Sequence, residues 1–350
     1  MMKNKFLVGV ITFFITITCC ILFLNFFNPS KKTYYFDRVE SSNTILTFDK
    51  EFHKLNNDEY VKYIYSDSLI IEHDVEILDE NRKQITFYIT DKNFENKFTK
   101  KVILPKNSNV LFCNKEYIFF TDNFNLFTLD FITNKQKQVS DNRIKIFSLK
   151  TIPNSKSKIL CFGEYKQNNI FKTGFFVFDY INSKVIISKI LENNPETNMP
   201  KNALVYAGFF NLNYEKSLIT FTCNKYSKIY LFDSNGLFTS EMNTKDNVPL
   251  PEIFTNERGD SFYSRGNSWT TNMGMFIKNN KIFVFSNSSS EKFKLIIDEY
   301  SCLNNKYIKS YKLNYLNQSA KDIRNVFIEK DKIIIGFEFN YASFIFSRYI

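Results

Sequence analysis

Histidine, arginine, alanine and glycine are all scarce in this 350-residue chain, with two, seven, four and nine residues respectively. Each scarcity removes a class of chemistry. His53 and His73 have no ligand-type partner at a metal-site spacing, and zinc enzymes generally need three protein ligands. A Ser/His/Asp triad would have to recruit one of those two histidines, and no GxSxG elbow displays a serine. The glycines form neither a GxGxxG nor a GxxxxGK loop, so the common nucleotide cradles are missing. No CxxC pair occurs, and Cys113, Cys161, Cys223 and Cys302 are scattered through a chain long enough to bury a core without disulfides. Neither a cofactor nor a metal is expected. Cys161 and Cys223 lie in apolar, strand-like runs, where a free thiol behaves as a small hydrophobe.

What the chain has first is a hydrophobic N-terminus. Phe6 to Phe27 contains no charged residue and is long enough to cross a bilayer core as a helix. Lys3 and Lys5 precede it, while Pro29, Lys31 and Lys32 follow it. The apolar run continues past the length of an ordinary signal peptide, so an uncleaved anchor fits best. Two alternatives stay open. Ile17-Thr18-Cys19-Cys20 resembles a degenerate lipobox with Cys20 as the acylated residue, and cleavage as a signal peptide is the other. The expected organisation is therefore an anchor or signal segment with its tether over residues 1–32, then one domain over 33–350. The expected location is the cell envelope, membrane-anchored with the domain outside the cytoplasm; basic residues on both sides of the run leave its orientation open.

The formal charge of +10 does not indicate nucleic acid. Four of the positive charges are Lys3, Lys5, Lys31 and Lys32, and setting them aside leaves 42 basic against 36 acidic residues, or +6. Spread over the remaining chain without a dense basic block, that is an ordinary solvated surface, and no nucleic-acid partner is expected.

From Tyr34 onward, short runs of Ile, Val, Phe, Tyr and Thr alternate with clusters of Asn, Asp, Ser and Lys, and no amphipathic helical window interrupts them. The runs Ile118–Phe120, Phe175–Phe178, Ile229–Phe232, Ile282–Phe285 and Ile333–Ile335 are apolar on both faces. Such strands need cover on both sides, and without helices the cover must be other sheets. A loose repeat supports this: an apolar strand ends in Asp and a polar turn follows, at Asp91, Asp130, Asp179, Asp233 and Asp298. Propeller blades have about this spacing. The class is all-β, a β-propeller of six blades, placed near 60–105, 109–140, 144–192, 203–245, 251–314 and 323–350. The last blade lacks a strand that Thr44–Asp49 could supply, closing the ring and removing exposed edges. The span from Pro251 to Leu313 is long enough to hold an extra hairpin.

The stretch ALVYAGFFNLNYEKSLITFTCNKYSKIYLFDSNGLF, with KIFVFSNSSSEKFKLIIDEYSCLNNKYIKSYKL, resembles the strand and turn rhythm of TolB-like six-bladed propellers of the Bacteroidetes cell envelope. The resemblance implies a fold and a compartment but carries no catalytic residue. The Trp-Asp signature of WD40 blades and the paired glycines of kelch are absent.

The most distinctive segment is NERGDSFYSRGNSWTTNMG, Asn256 to Gly274, which holds the single tryptophan, three glycines and two arginines. Arg258, Tyr263, Arg265 and Trp269 are the candidate binding residues, because Trp and Arg dominate recognition hot spots and glycine gives the loop permissive backbone. The competing reading is a blade insertion whose Trp269 packs inward. The sequence thus favours a non-catalytic module that binds a protein or glycan partner on a ring face, with the membrane contacted through residues 6–27. A glycan hydrolase with unidentified carboxylates and a purely structural ring are the alternatives.

Overall fold

The computed structural model describes residues 16–18, 38–41 and 45–346, the last with gaps at 54, 56–61, 65–68, 115, 154, 195–198, 214–216, 265–268, 287–294, 314, 316–322, 324, 330–331 and 338–339. Of the predicted membrane segment only Thr16, Ile17 and Thr18 are described, as helix; Cys20 lies outside the described residues. Among the described residues no helix is long and apolar enough to cross a membrane.

Strand β1 covers Leu46–His53, and the chain then lays down blade after blade of antiparallel sheet. Blade 1 is β2 (Lys62–Ile64), β3 (Leu69–Ile77), β4 (Arg82–Asp91) and β5 (Lys97–Pro105). Blade 2 is β6 (Asn109–Cys113), β7 (Tyr117–Asp122), β8 (Asn125–Asp130) and β9 (Gln136–Gln138). Blade 3 is β10 (Ile144–Thr151), β11 (Lys158–Gln167), β12 (Ile170–Asp179) and β13 (Lys184–Asn194). A short helix, α1 (Met199–Val205), leads to blade 4: β14 (Gly208–Asn213), β15 (Leu218–Cys223), β16 (Lys228–Phe232) and β17 (Phe238–Asn243). A hairpin of β18 (Ile253–Thr255) and β19 (Ser261–Tyr263) stands apart from the blades. Blade 5 is β20 (Asn272–Lys278), β21 (Lys281–Ser286), β22 (Leu295–Ser301) and β23 (Tyr307–Leu313). Blade 6 is β24 (Asn325–Glu329), β25 (Lys332–Gly336) and β26 (Asn340–Phe346), completed by β1.

These are six four-stranded sheets, a six-bladed propeller. The first strands of successive blades lie side by side, which puts them nearest the ring axis and the fourth strands at the rim. The runs apolar on both faces are second or third strands, each buried between neighbouring blades. Between blades 3 and 4, for example, Phe175 meets Phe221 and Phe232 with ring centroids 5.0 and 4.9 Å apart. Closure comes from the N-terminal side, as the incomplete last blade predicts: β1 pairs antiparallel with β26 from Leu46 opposite Phe346 to His53 opposite Asn340.

A second latch extends the closure to blade 5. Ser310 N–H donates to the Val39 carbonyl and Ser41 N–H to the Ser310 carbonyl, so residues 39–41 add to the outer strand β23 as a parallel bridge. Arg38 reaches inward, its Nε donating to Asp298 Oδ1 at 3.1 Å and its Nη2 to Ser286 Oγ at 2.8 Å. Ser310 Oγ completes the site by donating to Asp298 at 2.5 Å.

The recurring aspartates have a mechanical explanation. Asp91, Asp130 and Asp179 end third strands and Asp233 follows one, and each Oδ1 accepts the N–H two residues ahead, at 2.9 to 3.2 Å. This side-chain turn mimics a backbone turn and starts the hairpin to the rim strand. Asp298 departs from the expected repeat. It sits within β22, committed to Arg38, and Ser301 takes the turn position, accepting the Leu303 N–H at 3.1 Å. Blade 4 needs a glycine in this turn, because Gly236 has φ of 79° and its hydrogen faces Val177 and Ile152 of blade 3.

The turn carboxylates set an acid limit on stability. The Asn182 side-chain amide and turn N–H groups hold Asp179 below the usual carboxylate range, and the Thr133 N–H does so for Asp130. At Asp91 burial pulls upward, but bonds from Glu95 N–H and the Asn96 amide outweigh it. Folded values below unfolded ones give stability that is present above about pH 4 and is lost as pH falls through the folded values. Asp298, raised by burial despite Arg38, runs the other way and offsets part of the loss. Thermal melts followed by circular dichroism should therefore show a falling midpoint between about pH 5 and 2. A midpoint that stays level, or rises, over that interval would contradict the turn assignment.

Candidate interaction face

Because every blade has the same antiparallel order, its second-to-third turn and its connection to the next blade lie on one face of the ring. The first-to-second and third-to-fourth turns lie on the other. We call these the crossover face and the turn face. Both α1 and the β18–β19 hairpin belong to blade-to-blade connections and so rise from the crossover face.

The connection between blades 4 and 5 is tied at its root by one carboxylate. Asp246 is buried, and its Oδ1 accepts bonds from Ser227 Oγ at 2.6 Å and Thr244 Oγ1 at 2.5 Å. Its Oδ2 accepts from Thr271 Oγ1. Thr244 opens the connection and Thr271 closes it, so a single side chain pins both ends. Asn272 adds a bond from its Nδ2 to the Cys223 carbonyl at 3.0 Å.

The hairpin itself rests on α1. Buried Asn202 holds the helix on blade 3, its Nδ2 donating to Glu164 Oε1 at 3.1 Å and Thr173 Oγ1 at 2.8 Å. Tyr263 of β19 donates its hydroxyl to the Leu204 carbonyl at 3.0 Å, and burial pushes its phenol upward. Lys225 lies 5.1 Å from the Tyr263 ring centre while its Nζ donates to Thr270 Oγ1 at 2.7 Å, and burial lowers its pKa. The turn is closed by Asn256, whose Oδ1 accepts from the N–H groups of Arg258 and Asp260, with Gly259 at φ 84°.

This geometry sorts the four candidate residues. Arg258 stands exposed at the hairpin tip. Tyr263 is a support that fixes the hairpin to α1. Trp269 is half-buried beside Thr270, close to the Lys225 contact, and Arg265 lies outside the described residues. Two residues that sequence reasoning passed over are the most prominent. Phe254 and Phe262 face each other across the hairpin and are 60% and 53% exposed. The signal was present in the alternation of Ile253-Phe254-Thr255 and Ser261-Phe262-Tyr263, in which Ile253 packs on the blade 3–4 core and the phenylalanines point the other way.

Nothing comparable gathers around carboxylates. Among the described residues the buried acids are Glu72 in blade 1, Glu164 in blade 3, Asp246 in the connection, and Asp298 and Glu299 in blade 5, with Asp246 near enough to Asp298 to raise its carboxyl. Each accepts bonds from protein donors: Tyr341 on Glu72, Asn202 on Glu164 and Tyr311 on Glu299, beside those already described. Among the described residues no cluster of three or more His, Cys, Asp or Glu could hold a metal. A cavity of about 400 Å³ lies on the turn face between blades 3 and 4, lined by Ile152, Val177, Ile186, Leu237, Lys158 and Asn235 among others. It presents no carboxylate.

No family model matches the chain, and no curated protein matches it. Among solved structures it is similar to a member of the DUF4221 family from Bacteroides vulgatus, at 10% identity over 86% of this chain and 97% of that one, with a TM-score of 0.46. It is similar as well to a luciferin-regenerating enzyme, at 9% identity over 82% and 91% of the two chains with a TM-score of 0.43. Hsv2 of Kluyveromyces lactis follows at 12% identity over 85% and 90%, with a TM-score of 0.36. Likenesses this distant assign neither an activity nor a partner.

Proposed function

We propose that the chain is a non-catalytic binding or scaffolding module of the cell envelope, held at a membrane by residues 6–27 and recognising a protein or glycan partner on its crossover face. The observation that carries this reading is the exposed Phe254–Phe262 pair with Arg258 at the same hairpin tip. Exposed aromatics on a rigid support, bordered by charge, are the side chains on which recognition energy concentrates. Rigidity comes from Asp246 at the root and from Tyr263 and α1 beneath. The compartment rests on the uncharged Phe6–Phe27 run and on the resemblance to TolB-like envelope propellers; acylation at Cys20 would give the same placement. Recovery of crosslinked partners from native membranes tests the reading. A chain carrying Phe254→Ser and Phe262→Ser should retain its circular dichroism spectrum and recover at least about tenfold less partner. Equal recovery would remove the hairpin from recognition.

A further inference from the structure

Three turns on the opposite face share one geometry. Asp130-Phe131-Ile132-Thr133-Asn134-Lys135, Asp179-Tyr180-Ile181-Asn182-Ser183-Lys184 and Ser301-Cys302-Leu303-Asn304-Asn305-Lys306 each join the third to the fourth strand of a blade. In each, the first residue's side-chain oxygen accepts the N–H of the third residue, and the fifth residue has a left-handed φ, at 57°, 52° and 57°. The third residue points away from the ring. Leu303, Ile132 and Ile181 are 88%, 83% and 65% exposed, the three most exposed large apolar side chains among the described residues. A lysine follows three positions later in all three turns.

A single exposed leucine needs no explanation. The same residue class at the same turn position of blades 2, 3 and 5 does, because the fold does not require it. Blades 1 and 4 use the same hydrogen bond with Asn93 and Asn235 at that position, polar residues that serve the turn equally well. Blade 1 also shows what an apolar turn residue does when it is structural: Phe94 folds back, its ring centre 4.0 Å from Phe52 and 5.2 Å from Tyr341.

We infer that the turn face rests on an anionic lipid bilayer, with Ile132, Ile181 and Leu303 inserted at the boundary between headgroups and acyl chains and Lys135, Lys184 and Lys306 at the level of the phosphates. Three points on blades 2, 3 and 5 of a six-bladed ring span the face and define a plane. A protein interface gathers its apolar contacts into one central, contiguous cluster; separated apolar tips, each with a basic neighbour, suit a flat lipid surface. The chain's own path agrees. Residues 39–41 run parallel to β23, which itself starts at the third-to-fourth turn, so Arg38 lies on the turn-face side of them, and the sequence ahead of it contains the uncharged Phe6–Phe27 run.

The experiment uses the full chain bound to vesicles of phosphatidylglycerol and phosphatidylcholine, with and without bromine on the acyl chains. Ile132→Trp, Ile181→Trp and Leu303→Trp are made singly, and the native Trp269, at the crossover end of the connection into blade 5, is the internal reference. Bromine should quench the added indole emission by at least half in all three variants and leave the parent chain's emission unchanged. Introducing Asn at all three positions, as blades 1 and 4 already have, should leave the melting midpoint unaltered. With vesicles present, protease should cut the rim turns of that variant several times faster than those of the parent chain, which the bilayer shields. Failure of the chain to float with the vesicles, floating without quenching of the added indoles, quenching of Trp269 instead, or emission that shifts only with protein concentration as in self-association would each overturn the inference. None of these readouts depends on a partner at the hairpin, so failure here and failure of the proposed function are distinguishable.

Discussion

Arg38→Ala should destabilise the ring by about 3–5 kcal/mol, the cost of removing one partner from a buried ion pair. Asp298 is almost fully buried, and without the guanidinium its remaining polar contact is Ser310 Oγ at 2.5 Å. Burial already pushes the Asp298 carboxyl upward with Arg38 in place, and loss of the guanidinium pushes it further toward the neutral acid, which limits the loss. The substitution also frees residues 39–41 from their position beside β23, exposing the outer edge of blade 5. Arg38→Met combined with Asp298→Leu removes both charges and should lose less than Arg38→Ala alone. Urea unfolding of the three chains checks this; a change within about 0.5 kcal/mol for Arg38→Ala would show that the latch contributes nothing.

Asp246→Ala should cost about 2–4 kcal/mol, since three buried hydroxyls lose a charged acceptor at once. Its more specific effect is local. With Thr244 and Thr271 released, the connection that carries β18 and β19 opens at its root, and amide exchange over residues 248–264 should accelerate far more than in β15 or β21. Asp246→Asn keeps one acceptor oxygen and should fall between the parent and the alanine variant. Uniform exchange across blade 4 in Asp246→Ala would mean that the carboxylate only supports the blade and does not position the hairpin.

Much of this ring could be read from the sequence, because blade geometry writes itself into short periodic patterns. The runs apolar on both faces are interior strands, and the strand-ending aspartates, Asp298 apart, are turn caps. Closure by a strand from the N-terminal side followed from the unmatched end of the chain, displaced by a few residues from Thr44–Asp49 to Leu46–His53. Asp298 was misgrouped because a strand ending in Asp looks the same whether that Asp caps a turn or meets a distant arginine. The pairing with Arg38 joins positions far apart in the chain, and no local pattern reports it. The helix α1 was missed since seven residues, two of them Pro200 and Val205, carry no amphipathic period. At the candidate site, composition drew attention to Trp269 and Arg265, whereas exposure singles out Phe254 and Phe262. Composition cannot separate a support such as Tyr263 from a contact residue, because which side of a short hairpin faces outward depends on what lies beneath it.

We propose a ring with two different faces, one for a macromolecular partner and one for lipid. Photocrosslinking in native membranes tests it most directly, with benzoyl-phenylalanine replacing Phe262 in one chain and Leu303 in another. Position 262 should give a discrete macromolecular adduct and position 303 lipid adducts. The same adduct from both positions, or none from 262, would contradict it.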